Sequence, residues 1–109
     1  MAGTEATTPE EREMDWWMRC TVSPGQFSSE YAVSAKSSGG GEFSLFAPKE
    51  FVRLDPHAEG AGWLQVDVWD RRGNDVLVKL PAPVLATGGQ FVTVPSSEIR
   101  PLSSAPSTV

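Results

Sequence analysis

Glycine or proline interrupts almost every stretch of this chain long enough to hold a helix, with ten glycines and nine prolines among 109 residues. Proline removes a helical hydrogen bond and glycine loses more backbone freedom on ordering than any other residue, so helix is hard to place. The apolar segments left between them are short and rich in Val, Phe and Trp, which suit a pleated, half-buried surface. Six strands are predicted, over residues 16–23, 30–36, 42–47, 63–70, 75–80 and 90–95. The fourth has the clearest pattern: Leu64, Val66 and Val68 alternate with Gln65, Asp67 and Trp69. A period of two puts one set on each face of a strand. "DRRGND" reverses the chain, Gly73 supplying the positive φ of a tight turn, and Val76, Val78 and Leu80 continue the alternation on the return.

The segments "APKEFVRL" and "VPSSEIRP" each read as a strand stopped by proline, one tight turn, and a brief return to extended chain. The run "VLVKL…QFVTVPSSEIRPL" resembles the end of SH3-like barrels, where a strand, a 3₁₀ turn and a last short strand follow one another. The expected fold is therefore all-β. It is a small barrel, SH3-like or related, or a compact two-sheet sandwich of about six short strands. One domain is expected over 14–102, between a flexible acidic tail at 1–13 and a flexible tail at 103–109.

Residues 17–54 and 63–102 echo each other. Trp17 matches Trp63 and Val22 matches Val68 at an offset of 46; Gly40, Gly41 and Phe43 match Gly88, Gly89 and Phe91 at 48; Pro48 and Arg53 match Pro95 and Arg100 at 47. Two three-stranded halves sharing one core would explain the echo, because about 40 residues bury too little surface to stand alone. Turn and strand chemistry common to any β protein would also produce it. On either account the paired glycines are turns, and Phe43 and Phe91 are expected to start strands and pack inward.

A net charge of -5, with the nine Lys and Arg residues dispersed, argues against nucleic-acid or anionic-membrane partners, whose phosphates are held by basic clusters. The start of the chain is acidic and polar, unlike a signal peptide, and no apolar run reaches the roughly 18 residues of a membrane span. A soluble cytoplasmic protein is expected. Cys20 is the single cysteine, so an intrachain disulfide and a thiol-rich zinc site are excluded. Cys20 shares a face with Met18 and Val22 and is expected to be a buried structural thiol.

Catalytic patterns are missing. The serines form no G-x-S-x-G elbow, and "SSGGGE" is neither a phosphate-binding loop nor a dinucleotide fingerprint. No cofactor is expected, and enzymatic activity is not the favoured reading. Asp55, His57 and Glu59 alternate in the connector between the halves and form a weak candidate metal set, though metal sites usually draw ligands from several elements. A solvated turn between the halves, begun by "DP" and ended by "EGAG", is the favoured explanation.

The four tryptophans carry more. Trp16 and Trp17 are adjacent and face opposite ways, so one must leave the core or be covered. Trp69 belongs to the mixed face, and Tyr31 starts the second strand. A binding surface of Trp16, Tyr31, Trp69 and Asp70 is expected, since aromatic residues dominate interaction hot spots. Its partner would be a protein, a peptide or a second copy of the chain in a homodimer. The SH3-like resemblance implies a basic or Pro-rich peptide, held between aromatic walls and acidic loops. The alternative is a small-molecule barrel with a cavity lined by Trp17, Phe43, Trp63 and Phe91, with or without catalysis. The terminal "STV" also resembles a PDZ-domain ligand.

Overall fold

The computed structural model describes residues 16–101. The tails expected at 1–13 and 103–109, with the terminal "STV", lie outside them. Eight strands form one antiparallel sheet: β1 Trp16–Pro24, β2 Glu30–Lys36, β3 Glu42–Pro48, β4 Val52–Leu54, β5 Ala61–Arg72, β6 Asp75–Lys79, β7 Phe91–Pro95 and β8 Ile99–Pro101. The fold is all-β, a curled half-barrel compatible with a small barrel. The two strands beyond the predicted six are the short returns after Pro48 and Pro95, each reached through one 3₁₀ turn, Lys49–Phe51 and Ser96–Glu98.

The main path of the sheet runs β3-β2-β1-β5-β6-β7. The short strands depart from it in a reciprocal way: β4 pairs with β5, and β8 pairs with β1. β4 and β8 thus extend the sheet beside β5 and β1. Registers correspond as well. Val52 lies opposite Leu64, Leu64 opposite Met18, and Met18 opposite Ile99, giving one row across β4, β5, β1 and β8. Met18 and Leu64 are fully buried, Ile99 is buried and Val52 packs against the core. Burying a side chain of this kind stabilises by about 1.5–3 kcal/mol. Gly62, on β5, is required here, because a Cβ would collide with the Arg53 carbonyl and press on Val22.

The inner face carries the core: Met18, Cys20 and Val22 of β1, Val33 and Ala35 of β2, Phe43, Leu45 and Ala47 of β3, then Leu64, Val66, Val76, Val78 and Val94. Leu80 and Val84 join them from the 80–90 loop. That loop is held by Leu80 N–H to Gln90 O at 2.7 Å and Val84 N–H to Gly89 O at 2.8 Å. Two isolated bonds draw the outer strands toward each other. Leu85 N–H donates to Ser44 O of β3 at 2.8 Å, and Ser38 N–H donates to Thr93 O of β7 at 2.9 Å. They bridge the ends of the curl without a continuous ladder.

Phe91 corrects an expectation. It was expected to pack inward like Phe43, yet it is 48% exposed while Phe43 is buried. Phe43 alternates with Ser44 and shares the core side of β3 with Leu45 and Ala47, whereas in β7 it is Val92 and Val94 that meet the core and Phe91 and Thr93 that are exposed. Matching the phenylalanines at 48 slips the strand by one residue, which exchanges its two faces.

Candidate functional site

Trp69 owes its position to a bulge. The register of β5 on β6 shifts between Val68 and Asp70, leaving Trp69 as the extra residue. Bulges re-aim side chains, and this one leaves Trp69 61% exposed. Its ring meets Phe91 edge-to-face, with centroids 5.3 Å apart at 86°. Asp70 follows directly. Its carboxylate accepts from Arg71 N–H at 2.9 Å and from Arg72 Nε at 3.0 Å. That ion pair is open to solvent and worth about 0–1 kcal/mol. Asp70, Arg72, Asp75, Leu77 and Thr93 line an open depression of about 380 Å³ on the same strands. Asp75 is held there by the Ser38 hydroxyl at 2.8 Å.

Tyr31 and Trp16 lie elsewhere. Both pack against the core. Tyr31 lines an open groove of about 420 Å³ with Pro24, Phe27, Lys49 and Leu54, and the Lys49 ammonium sits 4.9 Å from its ring centre. Phe27 and Leu54 are exposed. The Glu30 carboxylate fixes the loop bearing Phe27 by accepting from Gln26 N–H at 3.0 Å and Phe27 N–H at 3.3 Å. Trp16 is half-buried, with the Arg71 guanidinium 4.8 Å from its ring. The four expected binding residues thus divide: Trp69 and Asp70 adjoin in an exposed patch, while Tyr31 and Trp16 belong to the margins of the core.

The connector offers no metal centre. Asp55 Oδ2 accepts from Arg19 Nη1 at 2.8 Å, and Asp55 Oδ1 accepts from His57 N–H at 2.8 Å. These bonds, the His57 amide first and the Arg19 guanidinium next, hold the Asp55 carboxyl below the usual carboxylate range. Among the described residues, no three His, Cys, Asp or Glu side chains are grouped so as to hold a metal ion. Cys20 is buried, and burial pushes its thiol up to about 12 against the opposing charge of Arg19. A protonated, enclosed thiol is a poor nucleophile at neutral pH.

No family, curated protein or solved structure matches the chain. Any functional assignment therefore rests on the geometry of its own residues.

Nor do Trp17, Phe43, Trp63 and Phe91 line one cavity. Phe43 belongs to the core and Phe91 is exposed. Trp17 and Trp63 alternate with the core residues Met18 and Leu64, which places them on the outer face. There they meet a group that sequence reasoning missed. The Arg53 guanidinium lies 4.8 Å from the Trp17 ring centre, and those of Arg19 and Arg100 each lie 4.9 Å from that of Trp63. Trp17 is only 3% exposed although it faces outward, and its indole Nε1 is buried with no hydrogen-bond partner. The available signal was the matched pairing of Trp17 with Trp63 and Arg53 with Arg100, which spacing alone presents as framework. Among the described residues, no helix is long and apolar enough to cross a membrane.

Proposed function

We propose that the protein is a non-enzymatic interaction module that contacts a protein or peptide partner, or a second copy of itself, through the Trp69–Phe91 patch and its neighbouring carboxylates. One observation carries this reading: two large aromatic rings, 61% and 48% exposed, are held edge-to-face at the surface by a bulged strand. Exposed apolar rings leave solvation free energy to be gained on contact, and tryptophan is the residue most enriched at energetic centres of interfaces. Asp67 and Asp70 on β5 and Asp75 on β6 are exposed beside the rings' strands and would favour a partner that brings Lys or Arg beside an apolar side chain. The rings are carried on strands, so little ordering cost remains at binding. The sequence repeat belongs to the same proposal: two corresponding halves build the scaffold, and the patch lies where they differ.

Amide chemical-shift mapping tests the proposal in two titrations, one of the protein against its own concentration and one against a Pro-rich peptide containing Lys and Arg. Shifts should cluster at Trp69, Asp70, Leu77 and Phe91 in at least one titration and disappear in Trp69→Ala. Silence in both, or shifts that survive Trp69→Ala, would sink it.

A further inference from the structure

We propose that the outer face of β4-β5-β1-β8 is a second, separate docking surface, and that its occupant is an acidic peptide segment of a protein partner, held by Arg53 and Arg100.

The face gathers like charge. Arg19, Arg53 and Arg100 all place their guanidiniums within 5 Å of the Trp17 or Trp63 ring centres, in a chain whose net charge is -5. Stacking on indole orients a guanidinium without using its N–H donors, which stay available in the plane of the group. Arg19 shows what such a donor takes on this face: the Asp55 carboxylate, at 2.8 Å. Arg53 and Arg100 have no carboxylate within ion-pair distance among the described residues.

An independent observation points the same way. Trp17 Nε1 is a donor on a side chain 3% exposed, with no acceptor. Buried polar groups are nearly always paired, so this unpaired donor leaves the layer that Arg53 stacks on short of an acceptor.

The shape of the face selects the class of ligand. Arg53 and Arg100 are carried by β4 and β8, which flank the central pair β5-β1, and each reaches inward over that pair, to Trp17 and to Trp63. An extended peptide repeats its side chains on one side about every 6.8 Å, which lets successive carboxylates meet separate guanidiniums across such a surface. Nucleic acid fits less well, because a long phosphate chain must pass over the acidic remainder of the molecule.

The probe is a fluorescein-labelled hexaglutamate peptide, titrated against the full chain and read by anisotropy at low and at physiological salt. Binding should saturate, weaken as salt rises, and change the tryptophan emission. The variants Arg53→Gln and Arg100→Gln should each lose about tenfold in affinity, as expected for a charge-assisted hydrogen bond to a carboxylate. Arg71→Gln removes the same charge from Trp16, away from the Arg53–Arg100 pair, and should leave the affinity within about twofold. Near-ultraviolet circular dichroism verifies that each variant is folded, and the double variant Arg53→Lys/Arg100→Lys gives a second route, keeping the charge but losing the planar fork. No binding of hexaglutamate at low salt overturns the proposal. So does an equal loss in Arg71→Gln, which would show attraction by net charge alone, or tighter binding of oligothymidylate than of hexaglutamate. Trp69→Ala should leave hexaglutamate binding unchanged, which separates this surface from the aromatic patch.

Discussion

The guanidinium of Arg53 rests 4.8 Å from the ring centre of Trp17, although β4 and β1 are separated by the whole width of β5. Arg100 makes the corresponding reach from β8 to Trp63 on β5. These contacts lay arginine across the outer-face tryptophans, on the side of the sheet opposite the core row Val52, Leu64, Met18 and Ile99. Arg53→Ala should lower stability by about 1 kcal/mol, in the range for a partly desolvated cation–π pair. It should also open Trp17 to acrylamide quenching. Chemical denaturation and fluorescence measure both, and an unchanged quenching constant would show that Arg53 does not cover the ring.

The core row and the aromatic patch should respond differently to truncation. Leu64 is fully buried where four strands meet, so Leu64→Ala should cost about 2–5 kcal/mol, a large share of the stability of a domain this size. Trp69→Ala removes a larger side chain but one 61% exposed, and should cost under about 1.5 kcal/mol, most of it the edge-to-face contact with Phe91. Thermal or urea unfolding of the two variants side by side decides the point; equal losses would place Trp69 in the core.

Cys20 makes stability fall at high pH. Its thiol is pushed up to about 12 in the folded chain and ionises near its ordinary value once unfolded. The stabilisation of the protonated form is complete below about pH 9 and is lost as the pH rises toward 12. Unfolding free energy should decline across that window, and Cys20→Ala should remove this component. At pH 8, alkylation of the native protein should be slow and should accelerate in denaturant.

Asp55 acts at the other end of the scale. Its folded pKa is depressed, so its contribution is present above the unfolded value of about 4 and is lost as the pH falls through the folded one. Asp55→Asn should flatten the acid limb of the stability curve below about pH 4. Urea midpoints measured from pH 2 to pH 7 would show it, and an unchanged limb would mean that the bonds to the His57 amide and Arg19 do not contribute.

Much of the fold was legible because alternation is a local signal. The 30–36 strand appears with the predicted limits, and the others shift at their ends by one or two residues. Cys20 shares the inner face with Met18 and Val22, as the period of two requires. Phe91 was misplaced because paired glycines fixed the comparison of the halves, whereas strand faces follow hydrogen-bond register, which only the partner strand reveals. Trp17 illustrates a second limit. The sequence requires one of Trp16 and Trp17 to leave the inner face, but it carries no sign that Arg53 of β4 would cover the one that does. Trp69 and Asp70 were found from composition and position. Their separation from Trp16 and Tyr31 follows from strand order, which puts β1 between β5 and β2, and from the packing of Trp16 against the core; the bulge at Trp69 has no glycine or proline marker in the sequence.

The reciprocal pairing of β4 with β5 and β8 with β1 has a consequence for how the chain survives cleavage. The 55–60 connector joins two segments, β1 to β4 and β5 to β8, that each hold a short strand paired with the other. A cut there would break one covalent link and leave the sheet contacts that join the segments in place. The fragments should therefore remain associated after nicking and, made separately, should recover a native-like spectrum only when mixed.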